Sequence, residues 1–342
     1  MRSGLEKTLS SAKNHGHDVI VLGASAGGVL ALSEVIGSLP ADLPAAVFAV
    51  LHVSPHAPSA LPRILSRAGA LPALHPRNGE EEIRPGQVYL APPDRHLAIE
   101  DGHVKTTREA SENGYRPAVD VLFRTAARYY GPRVVGVVLT GNLDDGTAGL
   151  AEIKERGGVA VVQDPEEADH PGMPTNAILH VPVDHILPMA AIGALLDRLA
   201  REPVSQEALA AFEEVYLMST REAKKEDLDG ERGGVPSAFT CPECGGALFE
   251  KPGQEPLHFR CRTGHAYSPE TLGAKQSDTL ENALWAALRS LEEQGALARR
   301  MEKRLGEIGG RSSERYAERA REAEKHAELL REILRKGILE VG

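Results

Sequence analysis

The chain has 342 residues, which is enough for about two domains of ordinary size. Its 39 Lys and Arg against 49 Asp and Glu give a formal net charge of −10, which argues against a general role in binding nucleic-acid phosphates. Its apolar runs are shorter than the ~20 residues of a membrane span, so we expect no membrane insertion. Residues 1–17 are polar, lack the apolar centre of a signal peptide and are expected to be disordered, which favours a cytoplasmic location.

The first predicted elements are a strand over Asp18–Leu22 and a helix over Val29–Ser38, joined by a glycine-rich turn. The turn, Gly23-Ala-Ser-Ala-Gly27, matches G-x-S-x-G, in which glycines expose a serine hydroxyl beside the amides of a helix N-terminus. A serine in such a turn is a candidate nucleophile. This predicts a catalytic role for Ser25.

The same turn also resembles a degenerate phosphate-binding loop of a dinucleotide-binding fold. Such a fold needs an acidic residue about 20 residues further on to hold the ribose. The second predicted strand, Ala45–Leu51, is followed by His52 instead. A histidine there favours a general base for the serine over a cofactor site.

Strand-like and helix-like segments alternate over residues 18–201, which predicts an α/β domain with a doubly wound, mostly parallel sheet. Gly86–Ala91 and His96–Thr106, the second broken at Asp101-Gly102, are interpreted as strands of an antiparallel hairpin insertion. The remaining predicted elements are the strands Val134–Thr140 and Val159–Val162 and the helices Val119–Tyr130, Ala148–Arg156 and Ala190–Arg201.

The loop Gly141–Gly146 follows one of these strands and carries two adjacent carboxylates, Asp144 and Asp145. Ligands bind at the carboxyl ends of parallel strands, so we expect this loop, Ser25 and His52 to converge at one edge. A serine nucleophile needs a base, and the base needs a carboxylate to orient it. The sequence does not choose between the two carboxylates, and each residue alone is also explained by turn chemistry.

Three other histidines, His56, His96 and His103, are interpreted as surface or loop residues. His96 is the one that could line the site.

All three cysteines lie in a short module, residues 238–268, after a charged and then glycine-rich helix and linker at 202–237. Cys241 and Cys244 are followed, after sixteen intervening residues, by Cys261 and then His265, the spacing of a Cys₃His zinc ribbon. His258 is an alternative fourth ligand. A closed four-ligand shell predicts a structural zinc that holds this module together, and we expect residues 1–200 to remain active without it.

A helical hairpin is predicted over residues 269–338, because two apolar stripes at helical spacing flank Gly309-Gly310. The hairpin is interpreted either as a docking site for a signalling partner or as a self-contained stabilising tail. The stripes comprise Leu280, Leu284, Leu288, Leu291, Ala298, Met301, Leu305 and Ile308, then Tyr316, Ala320, Ala323, Ala327, Leu330 and Leu334.

Several segments together resemble the CheB-type protein-glutamate methylesterases of bacterial chemotaxis, in order over residues 18–200. They are Gly23–Gly28, the strand end at His52, Pro85–His96, Arg116–Phe123, Leu139–Gly146 and Gly172–Pro174.

The resemblance implies hydrolysis of glutamate γ-methyl esters on the cytoplasmic helices of chemoreceptors, releasing methanol, and also deamidation of receptor glutamines. It implies no catalytic cofactor. By the same resemblance the nucleophile falls on Ser25, the base on His52, the orienting carboxylate on Asp145 and the oxyanion donor on the backbone amide of Asn142.

The chain departs from the family pattern in three places. Ala26 stands where a hydroxyl residue often helps to seat the histidine, and Leu143 stands where a glycine is usual. The family's usual N-terminal receiver domain does not fit in the seventeen residues before Asp18, so we expect activity that is constitutive or set by another protein. A non-catalytic signalling adaptor on the same fold, and less favourably a dinucleotide-dependent oxidoreductase, remain the alternatives.

Overall fold

The computed structural model describes residues 16–56, 59–76, 80–214, 216, 234–250, 257–306 and 311–336. It divides into two compact units, Met1–Thr271 and Leu272–Gly342. Residues 1–15, most of the predicted linker and the glycines between the predicted C-terminal helices lie outside the described residues. Within the described ranges, no helix combines the length and the apolar character needed to cross a bilayer.

The first unit begins with an alternation of strands and helices. Its strands up to residue 187 are β1 (Val19–Ala24), β2 (Ala46–Leu51), β3 (Ala73–Leu74), β4 (Glu80–Glu82), β5 (Val88–Leu90), β6 (His96–Glu100), β7 (His103–Thr107), β8 (Val134–Val138), β9 (Val159–Gln163) and β10 (His185–Leu187). Its α-helices up to residue 201 are α1 (Gly28–Gly37), α2 (Leu61–Ala68), α3 (Val119–Tyr130), α4 (Thr147–Glu155), α5 (Gly172–His180) and α6 (Met189–Arg201).

Seven parallel strands form the central sheet in the order β10-β9-β8-β1-β2-β5-β3. Strand β1 lies between β2 and β8, with Gly23 in register with Val50 on one side and Val138 on the other. The chain builds outward from β1 through β2 and then returns to the other side of β1 at β8. The carboxyl end of β1 is therefore the topological switch point, where such sheets bind their ligands.

Both faces of the sheet are covered, as the predicted doubly wound fold requires. One apolar cluster packs α1, α2 and α6 against one face, and a second packs α3, α4 and α5 together with β6 and β7 against the other. Because these strands are buried on both sides, they read as continuous apolar runs in the sequence. The α/β class with a mostly parallel sheet is confirmed.

The predicted pairing of Gly86–Ala91 in an antiparallel hairpin is wrong. Strand β5 pairs in parallel with β2 and β3 in the central sheet, and all three of its residues are buried. The antiparallel hairpin is formed by β6 and β7 with the turn at Asp101-Gly102, and β4 adds to its edge. A short apolar run without alternation is typical of a strand buried on both faces, which is the physical reason for the difference.

The cysteine module is a small antiparallel sheet in the order β11-β12-β13-β14, within the first unit. Its strands are β11 (Val235–Thr240), β12 (Ala247–Glu250), β13 (Phe259–Cys261) and β14 (Ala266–Tyr267). Helix α7 (Pro269–Gly306) begins two residues after β14, and helix α8 (Arg311–Lys336) follows.

The second unit is an antiparallel pair of helices. Arg299 on α7 bonds Glu324 on α8 with N···O distances of 2.8 and 2.7 Å, and further from the connection Arg331 bonds Glu292 at 2.6 Å. Small residues fill the seam between these ion pairs, including the buried Ala298 and Ala327.

Candidate active site

Ser25 lies in the turn between β1 and α1, at the switch point of the sheet. Its backbone N–H donates to Thr140 O at 3.0 Å, and its carbonyl accepts from the N–H of Gly28 at 2.9 Å. Gly27, the residue before the helix, has φ +75°, a conformation that glycine adopts without strain. The turn therefore holds the serine at the start of α1 and beside the end of β8.

His52 follows β2 directly and connects Ser25 to Asp145. The Ser25 hydroxyl lies 3.0 Å from His52 Nδ1, and His52 Nε2 lies 2.7 Å from Asp145 Oδ2. The His52 side chain is 5% exposed. The ring of Tyr115 stacks on the imidazole, with the centroids 3.7 Å apart and the planes 7° apart. The structure thus brings the three predicted residues, Ser25, His52 and Asp145, into one hydrogen-bonded chain. Ala26 has no hydroxyl that could help to hold the imidazole, and the ring of Tyr115 packs on the imidazole.

Asp145 sits in a cradle of donors at the N-terminus of α3. Its Oδ2 also accepts the N–H of Val119 at 2.7 Å, and its Oδ1 accepts the N–H of Asp120 at 3.2 Å and Nδ2 of Asn113 at 3.0 Å. Burial by itself raises the pKa of Asp145, but the hydrogen bond to His52, the electrostatic interaction with that ring and the Val119 amide hold the pKa below its ordinary value. The positive end of the α3 dipole acts in the same direction.

The ionised carboxylate fixes the tautomer of the imidazole. A carboxylate only accepts hydrogen bonds, so His52 Nε2 carries the hydrogen and Nδ1 presents its lone pair to the serine. This arrangement can remove the proton of the Ser25 hydroxyl during nucleophilic attack.

Asp144, the competing carboxylate, faces away from this chain. Its Oδ1 accepts hydrogen bonds from the hydroxyls of Ser268 at 2.9 Å and Thr271 at 2.8 Å. Burial raises the pKa of Asp144 to about 6. Geometry therefore distinguishes the two carboxylates that the sequence left open.

The loop that contains Asn142 packs directly on the serine. A Cβ atom at Gly141 would lie 2.8 Å from Ser25 Cβ and 2.1 Å from Met173 Sδ, so only glycine allows this approach. Asn142 follows with an exposed side chain, in keeping with a role of its backbone alone. Leu143, in the position where the resemblance expects glycine, has φ +61°.

The three other candidate histidines, His56, His96 and His103, have different surroundings. The interpretation of His96 as a surface or loop residue is wrong, because it is the first residue of β6 and is 1% exposed. Its Nε2 donates to Ala110 O at 3.0 Å and its Nδ1 accepts the N–H of Ala118 at 3.2 Å, while burial lowers its pKa. His96 is thus a neutral residue that links Ala110 to Ala118, the residue directly before α3. His56 is exposed, and His103 lies 3.6 Å from Glu80 at the surface.

The sequence analysis did not identify Asn113 and Asp120, which contact Asp145, or Tyr115, which contacts His52. Asn113 is fully buried and bonds both Asp145 and Asp120, whose Oδ1 accepts the N–H of Gly149 at 2.6 Å. Burial and the nearby charge of Asp145 raise the pKa of Asp120. The available signal was the polar run Asn113-Gly-Tyr115 directly before the Arg116–Phe123 motif.

The four predicted metal ligands form a separate cluster in the cysteine module. The Sγ atoms of Cys241, Cys244 and Cys261 and an imidazole nitrogen of His265 all lie within 4.8 Å of one another. His265 Nδ1 is 3.6 Å from Cys241 Sγ and from Cys261 Sγ, and Cys244 Sγ is 3.6 Å from Cys261 Sγ. Tetrahedral zinc with bonds of ~2.3 Å to sulfur and ~2.0 Å to nitrogen places neighbouring ligand atoms about 3.5–3.8 Å apart. The donor set and its spacing are compatible with a structural metal.

His258, the alternative fourth ligand, points elsewhere. Its Nε2 lies 3.7 Å from Glu112 Oε1, and burial lowers its pKa to about 4. His265 therefore takes the fourth position in the cluster.

Comparisons with known proteins agree with this geometry. The CheB methylesterase family matches residues 20–196. A protein of Leptospira interrogans described as a putative protein-glutamate methylesterase/protein-glutamine glutaminase is 38% identical over 191 residues, which are 56% of this chain and 98% of that protein. The crystal structure of the Thermotoga maritima CheB methylesterase catalytic domain aligns with a TM-score of 0.51 at 34% identity, covering 53% of this chain and 98% of that one.

The fold and the family match define a hydrolase, and the chain belongs to the CheB methylesterase family. The resemblance stated from the motifs is thereby confirmed. Other relatives are matched over only about half of their length: the protein-glutamate methylesterase FrzG of Myxococcus xanthus is 35% identical over 181 residues, which are 53% of this chain and 54% of that protein. The matched family region ends before the cysteine module and the C-terminal helices.

Proposed function

We propose that this protein hydrolyses glutamate γ-methyl esters on the cytoplasmic helices of chemoreceptors, through an acyl-enzyme on Ser25. The observation that carries the proposal is the chain of contacts from Ser25 Oγ to His52 Nδ1 at 3.0 Å and from His52 Nε2 to Asp145 at 2.7 Å. These distances are within the range that proton transfer to a general base needs.

In the first half of the reaction, Ser25 Oγ attacks the ester carbonyl carbon and its proton passes to His52 Nδ1. The tetrahedral intermediate collapses, the bond from carbon to the methoxy oxygen breaks, and His52 returns the proton so that methanol leaves. In the second half, water attacks the acyl-enzyme while His52 takes its proton. Collapse of this intermediate returns the proton to Ser25 and releases glutamate. Asp145 keeps the imidazole in the required tautomer and stabilises its charged form.

The negative charge on the carbonyl oxygen needs donors that are already in place. We assign this role to the backbone amide of Asn142. The contact of Gly141 with Ser25 supports the assignment, because it brings this stretch of backbone against the nucleophile.

Receptor glutamines are a second substrate of the same site. The amide carbon of glutamine accepts the same attack, and ammonia replaces methanol as the leaving group. The name of the Leptospira relative includes protein-glutamine glutaminase, which supports this extension. We find no observation that favours the adaptor, and the family assignment argues against the dinucleotide-dependent oxidoreductase.

We further assign one structural zinc ion to Cys241, Cys244, Cys261 and His265. Hydrogen bonds, first from the amide of Gly246 and then from His265, lower the pKa of the Cys244 thiol to about 6, and the thiolate is the form that binds zinc. When bound, zinc would crosslink the two turns of the module. It leaves no open position for substrate, so it takes no part in ester chemistry.

Methanol release from methylated receptor membranes tests the proposed substrate. The wild-type protein should release methanol, and Ser25→Ala should release none above the uncatalysed rate. The same membranes carrying glutamines at the methylation positions should yield ammonia with the wild-type protein. Release of methanol by a correctly folded Ser25→Ala protein would contradict the assignment of the nucleophile.

A further inference from the structure

The side-chain amide of Asn113 lies between the catalytic carboxylate and the cysteine module. Its Nδ2 donates to Asp145 Oδ1 at 3.0 Å and to Asp120 Oδ2 at 2.9 Å, and its Oδ1 accepts the N–H of Ser268 at 3.0 Å. The residue is fully buried. Each partner fixes the orientation of the amide, because a flipped amide would turn its oxygen toward two carboxyl groups and its NH₂ toward an N–H.

The loop that carries Asn113 is also joined to the module through its backbone. The N–H of Asn113 donates to Ala266 O at 2.7 Å, and the N–H of Ala266 donates to Ser111 O at 3.3 Å. Two residues further along the same loop, Tyr115 stacks on the imidazole of His52. One loop thus contacts strand β14 of the module on one side and both His52 and Asp145 on the other.

A second set of contacts leads from this loop to the metal cluster. The Ser111 hydroxyl lies 2.5 and 2.7 Å from the two carboxylate oxygens of Glu243. Glu243 Oε2 is 3.3 Å from Nε2 of His265, whose Nδ1 faces the cysteines. Glu243 also accepts the hydroxyl of Tyr267 at 2.9 Å. A carboxylate behind the second nitrogen of a ligating histidine fixes the ring and tunes the site.

The junction is built from buried polar groups. Ser268 and Asp144 are 8% and 6% exposed, and Thr271 is fully buried. Removing the module together with the start of α7 would leave Asp144 without both hydroxyl donors and Asn113 without its amide donor. A buried group that loses its partner costs about 1–3 kcal/mol, so the loop would rearrange. An independent tail would not need such contacts.

We propose that the cysteine module, held by its metal, is part of the support of the catalytic triad, and that Asn113 is the positioning residue through which it acts. The proposal rests on the proposed esterase function. The sequence alone favoured a module separate from catalysis, with residues 1–200 active by themselves, and these contacts favour the opposite. The consequence is an esterase whose turnover depends on metal loading of a site that touches no substrate.

Two substitutions test the hydrogen bonds that Asn113 makes with Asp145 and with Ser268. Asn113→Asp keeps an oxygen for the Ser268 amide but loses the donor to Asp145, whereas Asn113→Gly loses both and suits the φ of +53° at this position. We expect both variants to lower kcat for a p-nitrophenyl ester by about 10- to 100-fold, the usual effect of losing a supporting partner, with KM within about twofold. Rates are counted per site titrated with a phosphonate, so unfolded protein does not contribute. Unchanged kcat in Asn113→Asp would overturn the role of the donor.

The link to the metal is tested by combining the substitution with metal removal. Chelation of the full-length wild-type protein should lower kcat by about 10- to 100-fold. In Asn113→Gly, chelation should change kcat by less than about twofold, because groups in one network do not have additive effects. If chelation lowers the kcat of Asn113→Gly by the same factor as it lowers that of the wild-type protein, the proposal is overturned.

A matched pair of serines provides the control within the module. Ser111→Ala removes the contact with Glu243, and we expect about tenfold lower kcat or zinc affinity. Ser237→Ala removes a hydroxyl that donates to Leu248 O and accepts the N–H of Phe239, both inside the module, and should leave kcat within about twofold. Equal effects of the two substitutions would contradict a specific path through Ser111.

Amide hydrogen exchange provides a readout that does not depend on activity. Chelation should speed exchange of the Asn113 and Val119 amides, which bond Ala266 O and Asp145, by about tenfold or more. If these amides keep their protection while the Cys261 amide loses it, the inference fails and the proposed function stands. If the wild-type protein hydrolyses no ester but the exchange responds as expected, the proposed function fails and the structural coupling stands.

Discussion

The substitution Asp145→Asn tests the orienting role of the carboxylate, since the structure leaves the new amide no favourable orientation. If its NH₂ group takes the place of Oδ2, it faces the N–H of Val119 and the Nε2–H of His52, both donors. His52 would then have to turn its lone pair toward the amide and carry its hydrogen on Nδ1. An Nδ1–H cannot take the proton of Ser25.

The opposite orientation is no better. If the NH₂ group takes the place of Oδ1, it faces the N–H of Asp120 and the Nδ2 of Asn113, which are also donors. The first orientation produces the wrong tautomer, and a substitution of that kind lowers kcat by about 10⁴-fold in the serine protease triad. Four decades correspond to about 5.4 kcal/mol in the activation barrier.

The assay compares Asp145→Asn with Asp144→Asn as the matched control. Both are measured on a small ester in zinc-loaded, full-length protein, with folding checked by circular dichroism. We expect kcat of Asp145→Asn to fall by about 10³- to 10⁴-fold, and that of Asp144→Asn to stay within about tenfold. The reasoning is refuted if Asp145→Asn keeps more than a tenth of the wild-type kcat while the kcat of Asp144→Asn falls below a tenth.

Three further predictions concern the neighbours of the site. Asp144→Asn should flatten the pH dependence of the unfolding free energy between pH 4 and 7. The folded state raises the pKa of Asp144 to about 6, so its stabilising contribution is complete below the unfolded value of 3.8 and is lost as pH rises through about 6. Urea titrations at pH 4 and 7 give the unfolding free energies, and Asp144 should change their difference by at most about 3 kcal/mol. The same pH dependence of the unfolding free energy in the wild-type protein and in Asp144→Asn would contradict the burial of an acid there. Gly141→Ala should lower kcat by about 100-fold because its methyl group displaces Ser25, whereas Gly273→Ala, with nothing within 4 Å, should keep full activity. Plasma emission analysis should find one zinc per chain in the wild-type protein and in His258→Gln, but none in Cys241→Ser; retention of zinc by Cys241→Ser would contradict the ligand set.

The fold near the site could be predicted because local signals were strong there. The helix Val119–Tyr130 was predicted with the bounds that the structure has, since its apolar spacing and the preceding Pro117 are local features. Strand β5 was assigned to the wrong sheet because pairing partners are set by the tertiary fold. A run of three buried residues carries no information about which strand lies beside it.

The residues of the candidate site likewise fall into those that local sequence signals predict and those that only the tertiary fold reveals. Ser25 and His52 were found from the ends of strands, and the cysteines from their spacing. The choice of Asp145 over Asp144 came only from the resemblance, because both residues share one loop. The contacts of Asn113 with Ser268 and of Ser111 with Glu243 join positions 155 and 132 residues apart, and no periodicity or spacing reports such contacts. The cytoplasmic location, the identity of the metal and a partner at the C-terminal helices stay predictions.

Labelling of the serine tests the central claim most directly. A phosphonate ester carrying a good leaving group should modify the wild-type protein once, and peptide mass spectrometry should place the adduct on Ser25. Ester turnover should be lost in proportion to labelling, and Ser25→Ala should neither label nor turn over while melting within a few degrees of the wild type. Labelling at another residue, or turnover that persists in folded Ser25→Ala, would contradict the account.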